Sequence, residues 1–264
     1  MKTHQKKKFV RTPFTLLACL VMAACTQKAP TEPAAAPEPA APEVAAESAF
    51  ALVTVPLGKN APTDYASQIA QWKSAGQVSN VVLLEKLPKQ LAETGKKSAA
   101  YESMAIVEFP GESAYAEWNV QAAPRLGPDA VVKRADLLIH DETNPRDAAT
   151  AYYAVNHYEA LVPAGDYKTY SQTYIMPNMA NQKDSGVMTS YSMYLEREPA
   201  GTKSKAVLVK EYLNEDAFLR SDAIKEEHKE RVLLKDAEWS RINDTKTTIR
   251  TDLNETLSKQ VVLP

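Results

Sequence analysis

Cysteine is almost absent from this chain, which has two among 264 residues. Both of them, Cys19 and Cys25, lie close to the start. If the chain is cleaved before Cys25, that residue is the last remaining thiol. Cysteine catalysis, disulfides and zinc sites built from cysteines are therefore excluded for the folded part.

Glycine is also scarce, with eight in the chain, and no glycine-rich phosphate loop is present. The sequence contains neither a nucleophile-elbow serine with histidine and acid partners nor the helix motif of the metalloproteases. It therefore predicts no catalytic residues, no metal site and no cofactor.

Basic charge is not in excess either. The formal net charge is −2, and residues 1–24 carry five basic residues and no acid, so their removal takes the net charge to −7. Nucleic-acid binding needs a basic face. We therefore expect no nucleic-acid partner.

The longest apolar run, from Thr12 to Ala24, follows the basic N-terminal segment and ends in small residues before Cys25. Its 13 residues fall short of the ~20 that span a bilayer, which disfavours a retained transmembrane helix. With a cysteine at the cleavage position, residues 1–24 resemble the signal peptide of bacterial lipoproteins. An ordinary secretory signal and cleavage before Cys19 are the alternatives.

The lipoprotein resemblance implies a membrane partner, because acyl chains on Cys25 would anchor the protein to a bilayer. In that family an acidic residue after the cysteine favours the inner membrane, whereas this chain has Thr26. We therefore expect an envelope protein held at the outer membrane and facing the periplasm.

Residues 25–48 contain five prolines, many alanines and no aromatic residue. Such a composition cannot bury a core, and proline every few residues blocks a helix. We expect this segment to be a disordered tether between the anchor and the folded part.

A weak internal repeat divides the remainder into two units, residues 49–147 and 148–264. Residues 108–115 (EFPGESAY) match residues 211–218 (EYLNEDAF) in their aromatic, acidic and alanine positions. Upstream, Gly76 and Gly186 each precede an apolar stretch. The repeat predicts two copies of one supersecondary unit.

Each unit is predicted to have the order βαββαβ. The expected strands are 50–55, 78–84, 104–109 and 131–139, then 152–160, 187–195, 205–212 and 247–253. The expected helices are 64–75 and 112–126, then 166–183 and 215–241. This order is the ferredoxin-like arrangement, so the predicted fold class is α+β, with two tandem units packed sheet to sheet as an α/β barrel.

The second unit resembles the dimeric α/β-barrel superfamily, which includes stress-responsive barrel proteins, NIPSNAP-like proteins and small cofactor-free monooxygenases. The resemblance rests on residues 152–158 (YYAVNHY), residues 162–165 (VPAG), Pro177 and Gly186. It covers roughly residues 150–213. Because this fold hosts many activities, function has to be argued from the site.

Tyrosine and methionine are concentrated between residues 152 and 194, which hold eight of the twelve tyrosines and four of the seven methionines. Aromatic rings with polar tips and flexible thioethers suit a ligand pocket, although they also suit a core. The ligand-binding candidates are Tyr153, His157, Tyr191, Met176 and Met179.

Two more specific functions, haem binding and copper(I) binding, are alternatives at these residues. In related haem-binding barrels a histidine of the second unit ligates iron, which His157 could do. Met176 and Met179, with His157 near, could form a soft copper(I) site. The sequence favours an envelope lipoprotein that binds a small apolar ligand or a partner protein. The alternative is a cofactor-free monooxygenase-like or haem-binding enzyme.

Overall fold

The computed structural model describes residues 47–61, 64–90, 98–143 and 147–264. The predicted signal peptide, Cys25 and the tether up to residue 46 lie outside the described residues. The described residues from 47 onward belong to one compact unit. No helix in the described ranges is long and apolar enough to cross a membrane.

Strands make up the core of this unit. They are β1 (Ala49–Pro56), β2 (Asn80–Lys86), β3 (Tyr101–Phe109), β4 (Val131–Glu142), β5 (Tyr152–Ala160), β6 (Met188–Glu196), β7 (Lys205–Tyr212) and β8 (Arg250–Gln260). The helices are α1 (Tyr65–Ser74), α2 (Glu112–Gln121), α3 (Ala164–Tyr170), α4 (Met176–Asp184), α5 (Glu215–Arg231) and α6 (Ala237–Thr245).

The strands close into one antiparallel barrel in the order β1-β3-β2-β8-β5-β7-β6-β4, and β4 pairs back to β1. The first half, β1 to β4, has the order β4-β1-β3-β2, and the second half, β5 to β8, has the corresponding order β8-β5-β7-β6. This is the ferredoxin-like order twice. The predicted α/β barrel is confirmed.

Two seams join the halves, β4 with β6 and β2 with β8. The second seam is short, since its ladder runs only from Leu84–Gln260 to Lys86–Ser258. Gln90 extends it. Its amide donates to the carbonyl oxygen of Leu257 at 2.9 Å and accepts from the Leu257 backbone nitrogen at 2.8 Å, so one side chain replaces a ladder pair.

The strands separate three apolar clusters, because alternate residues point to opposite faces of a sheet. One cluster fills the barrel interior and includes Leu52, Met104 and Val155. The other two lie outside the barrel, beneath the helices of each half. The barrel is thus a closed sheet with a helical layer over each half.

The two halves also repeat their local geometry. Phe109 and Tyr115 meet edge to face with ring centroids 5.5 Å apart, and Tyr212 and Phe218 do so at 5.3 Å. Gly76 and Gly186 both have positive φ, at 69° and 72°, in the turns after α1 and α4. A left-handed residue that ends a helix favours glycine, which explains the matched positions.

The helices of the second half differ from the sequence prediction. The helix expected over 166–183 contains a π-helical turn, Ser171–Ile175, between α3 and α4, and Pro177 sits in the first turn of α4, where a missing backbone donor is tolerated. The helix expected over 215–241 is two helices. Its break lies at Asp236, whose side chain caps α6.

Candidate functional site

A cavity of about 480 Å³ lies outside the barrel, between the second half's sheet and helices α4 to α6. We call it the helix-side pocket. Its floor comes from β5, β7 and β8, and its roof comes from the three helices. Volumes of this order are ordinary for small-molecule sites.

The roof residues of α6 are aligned by the start of that helix. The Asp236 carboxylate accepts hydrogen bonds from the backbone nitrogens of Glu238 and Trp239, both at 2.9 Å, which is an N-cap. From this start, a step of four residues places Trp239 and Asn243 on one face of α6, and Lys246 directly follows the end of that helix. All three line the pocket.

One wall of the pocket is aromatic. Tyr174, in the π-helical turn, stacks on Trp239 with ring centroids 4.8 Å apart and an interplanar angle of 21°. The Trp239 indole nitrogen donates to the Tyr174 carbonyl oxygen at 3.1 Å. On its other side, Tyr174 stacks on Tyr170 at 5.3 Å. The wall is therefore a fixed stack of three aromatic rings.

The floor carries a buried ion pair between Lys210 and Glu255. The Lys210 Nζ lies 3.3 Å from Glu255 Oε1, and both side chains are about seven-eighths buried. Burial lowers the pKa of Lys210, but Tyr212 and Glu255 outweigh that effect, so its net pKa is raised. Lys210 therefore stays charged beside the Glu255 side chain.

Arg250 is a second buried cation of the floor. Its guanidinium lies 4.0 Å from the Tyr158 ring centroid, a cation–π arrangement. Its Nε is 3.1 Å from Asp252 Oδ1. Its Nη1 is buried and has no hydrogen-bond partner among the described residues.

Two amide oxygens in the pocket lining are buried without a hydrogen-bond partner in the described part of the chain. They are Asn156 Oδ1 on β5 and Asn178 Oδ1 on α4. The Asn178 side chain is 93% buried, since the residue is 7% exposed. A buried polar group without a partner costs about 1–3 kcal/mol. These oxygens therefore suit hydrogen-bond donors of a bound molecule.

Lys246 is held at the end of the aromatic wall. Its Nζ donates to Asn243 Oδ1 at 3.0 Å and to Tyr174 Oη at 3.4 Å. Burial, and after it the positive charge of Arg250, lowers the pKa of Lys246. Within the described ranges no carboxylate lies at ion-pair distance from it.

The structure does not bring the sequence-predicted candidates together. Met179 lines the helix-side pocket, whereas Met176, on the same helix, is 40% exposed. Tyr191 packs beneath the helices without lining that pocket. Tyr153 and His157 point into the barrel interior, because they share a strand face with the interior residue Val155.

Tyr153 lines a separate cavity of about 330 Å³ at one end of the barrel interior, which we call the barrel cavity. Its hydroxyl donates to Gln260 Oε1 at 2.8 Å. Glu211 lines the same cavity and accepts a hydrogen bond from the Ser190 hydroxyl at 2.9 Å. Tyr153 is thus part of a hydrogen-bonded interior.

His157 does not fit the role of a haem ligand in this arrangement. Its ring lies edge-on to Tyr101 with centroids 6.0 Å apart, and it lines neither the helix-side pocket nor the barrel cavity. Burial, with a smaller effect of Lys205, lowers its pKa to about 4. The side chain is a neutral, enclosed core residue.

The copper(I) interpretation is not supported by the positions of its three residues, since Met176 is exposed, Met179 is in the helix-side pocket and His157 is inside the barrel. Across the described residues, no group of three or more His, Cys, Asp or Glu side chains could hold a metal ion.

Sequence reasoning missed the residues that give the helix-side pocket its character, namely Lys210, Trp239, Lys246, Arg250 and Glu255. One signal was present. β7 reads KAVLVKEY, and Lys210 follows four apolar residues in it. A charge inside a strand that is buried on both faces needs a partner, which here is Glu255.

No family model matches the chain, and no curated protein matches it. Solved structures resemble its fold. One is a candidate monooxygenase from Fusobacterium nucleatum subsp. nucleatum, with 13% identity over 83% of this chain and 94% of that chain and a TM-score of 0.48. Another is a monooxygenase-like protein from Listeria innocua, with 14% identity over 82% and 95% and a TM-score of 0.41.

A dye-decolorizing peroxidase from Bacteroides thetaiotaomicron has 9% identity over 83% of this chain and 94% of that chain, with a TM-score of 0.45. What these proteins bind or catalyse is a property of those proteins. The barrel fold of this chain is established by its own strand order.

Proposed function

We propose that this protein binds a small amphipathic organic molecule in the helix-side pocket, and that a lipid on Cys25 holds it at the cell envelope. The observation that carries the binding role is the pocket itself. It combines a volume of about 480 Å³, an aromatic wall and buried amide oxygens without partners. Together these features offer a bound molecule both apolar contact and hydrogen-bond acceptors.

The character of the lining supports an amphipathic ligand. The stacked rings of Tyr174 and Trp239 offer an aromatic, largely apolar wall, and the oxygens of Asn156 and Asn178 offer acceptors on the floor and roof. Pockets of this kind bind the body of a ligand by burial and fix its orientation with a few polar groups.

The envelope part of the proposal rests on the sequence of residues 1–48. The basic segment, the short apolar run and Cys25 support export and lipidation, and Thr26 supports the outer membrane. The proline-rich tether supports a barrel held at a distance from the bilayer. We also propose that residues 49–147 and 148–264 are two copies of one unit, which their matched aromatic pairs support.

The fluorescent probe N-phenyl-1-naphthylamine tests the binding role. Residues 45–264 contain all eight strands and the three apolar clusters, so this fragment is suitable for the titration. We expect saturable binding of one probe to the wild-type fragment. Met179→Trp should abolish it by filling the pocket, and Met176→Trp is the matched control, since Met176 is on the same helix but outside the lining.

Circular dichroism and thermal melts report whether each variant folds, and Leu208→Phe provides a second way to fill the pocket from β7. Equal probe binding by a folded Met179→Trp variant and the wild type would place the probe elsewhere and overturn the binding role.

The natural compound can be sought in the full-length protein purified from its own envelope. Native mass spectrometry reports any co-purified mass, and incubation of that compound with protein and air reports turnover. A compound recovered unchanged supports a binding protein. A product in which one oxygen atom has replaced two hydrogens, with the second atom of O2 leaving as water, would instead support the monooxygenase-like alternative.

A further inference from the structure

We infer that the ligand of the helix-side pocket carries an anionic group, such as a carboxylate, sulfonate or phosphate, and that Lys246 binds it. This inference rests on the proposed function, because it names the class of molecule that would occupy the same pocket.

The charges that line the pocket are almost completely paired. Lys210 is paired with Glu255, Arg250 with Asp252, Lys229 with Glu226, and Lys225 lies 3.9 Å from Asp222 and 3.8 Å from Glu226. Each of the four carboxylates in the lining therefore has a basic neighbour. Lys246 is the fifth cation of the lining, and it has no carboxylate at ion-pair distance in the described part of the chain.

The pairing of these charged side chains indicates whether the pocket favours an anionic or a cationic ligand. A cationic ligand would need a carboxylate, and each one in the lining has a basic side chain within 4 Å. An anionic ligand would find one free hydrogen-bond donor on Lys246. An ammonium has three donors, and two of them go to Asn243 and Tyr174. An anion at this position would accept a charge-assisted hydrogen bond from the third donor.

The charged side chains around Lys246 also favour an anionic ligand. After burial, the positive charges of Arg250, Lys229 and Lys225 act to lower the pKa of Lys246, and Asp252 acts to raise it. An anion beside Lys246 would offset the repulsion from these three cations.

Geometry connects this end of the pocket with the aromatic wall. Lys246 directly follows α6, the helix that carries Trp239, and its Nζ is 6.0 Å from the Tyr174 ring centroid. A ligand with its anionic group at Lys246 would place its body along Tyr174 and Trp239. Small aromatic acids and sulfonates have that arrangement of charge and ring.

Two probes with the same ring system test the inference. 8-Anilinonaphthalene-1-sulfonate is N-phenyl-1-naphthylamine with one added sulfonate. We expect the sulfonate to bind the wild-type fragment about tenfold more tightly or better, the scale of one charge-assisted hydrogen bond. In Lys246→Gln the two probes should bind within about twofold of each other.

Two further variants complete the test. Lys246→Arg should keep the preference for the sulfonate, because it keeps the charge. Lys59→Gln removes the same charge at an exposed position of the first half and should leave the preference unchanged. Met179→Trp should displace both probes, which shows that they occupy the pocket.

The outcomes separate the inference from the proposed function. If the neutral probe is displaced by Met179→Trp but the sulfonate has no advantage, or keeps it in Lys246→Gln, the anionic class is wrong and the binding role stands. If Met179→Trp displaces neither probe, the binding role itself fails.

Discussion

Lys210 and Glu255 meet across a strand that neither belongs to. Lys210 pairs with Ala154 in the ladder between β7 and β5, and Glu255 pairs with Asn156 in the ladder between β5 and β8. Their side chains join over β5 with 3.3 Å between nitrogen and oxygen. The small side chain of Ala154 leaves the room for this contact. The ion pair therefore connects three strands beneath the helices.

Removal of one partner should be costly, because it leaves a buried charge alone. We expect Lys210→Met to lower the free energy of unfolding by about 3–5 kcal/mol. The double variant Lys210→Met/Glu255→Leu should recover most of that loss, since an apolar pair of similar volume needs no charge compensation. Urea denaturation of the 45–264 fragment measures both.

The matched control is the pair of Lys59 and Asp129, which lie 3.1 Å apart with both side chains about half exposed. Lys59→Met should change the free energy of unfolding by less than about 1 kcal/mol. Equal losses at the two sites would mean that Lys210 and Glu255 are screened by water like a surface pair.

Glu196 and His157 should give the barrel interior opposite responses to pH. Burial raises the pKa of Glu196 from 4.5 to about 7, so its contribution to stability is full below pH 4.5 and is lost as the pH rises to 7. Burial, and then Lys205, lowers the pKa of His157 from 6.5 to about 4, so its contribution is full above pH 6.5 and is lost as the pH falls to 4.

Between pH 4.5 and 6.5 the two contributions cancel in the wild type. We expect the unfolding free energy of Glu196→Gln to increase with pH in this range, and that of His157→Asn to decrease, each by about 1 kcal/mol per pH unit relative to the wild type. Urea titrations at several pH values measure the slopes. The exposed variant Glu117→Gln should follow the wild type, and parallel curves for all four proteins would contradict the assignment.

Gln90 should stabilise the short seam between β2 and β8 against local opening. Gln90→Ala removes the acceptor of the Leu257 backbone nitrogen and should cost about 1–3 kcal/mol. Hydrogen exchange at the amide of Leu257 should accelerate, while β6 amides change less. Gln121→Ala is the control, because Gln121 bonds only to Glu117 at the surface. If exchange at Leu257 is unchanged, the backbone pairs alone hold β2 and β8 together, and Gln90 does not stabilise the seam.

Membrane attachment should depend on Cys25 and not on Cys19. Cys25→Ser should prevent incorporation of labelled palmitate and move the protein from the membrane fraction to the soluble fraction. Cys19→Ser should leave both unchanged. Labelling that is lost only in Cys19→Ser would mean that cleavage occurs at the earlier cysteine.

Strands were more predictable from the sequence than helices. β5 and β7 occupy the expected ranges 152–160 and 205–212, and Tyr and Val, which favour strands, recur in both. The expected helix 215–241 failed at Asp236. A charged run suits a helix interior and a helix end equally well, and only the cap bonds to Glu238 and Trp239 distinguish the two.

The candidate site was less predictable, for a physical reason. Period-2 alternation separates the two faces of β5 but does not say which face meets a cavity, so Tyr153 and His157 were grouped with Met179. The pocket also depends on residues distant in sequence, such as Lys210 and Lys246, and their proximity is a consequence of strand order. A local pattern cannot contain that information.

The pairing of Leu84 with Gln260 has a consequence for how the molecule is made. A ribosome, or an export channel that works from the N-terminus, releases β2 long before β8, so the edge of β2 stays unpaired while the rest of the chain emerges. Unpaired edges invite association with other chains, and contacts this distant in sequence form slowly. Synthesis of β8 therefore ends the period in which the edge of β2 is exposed, and deletion of residues 258–260, which pair with β2, would leave that edge exposed in the finished protein.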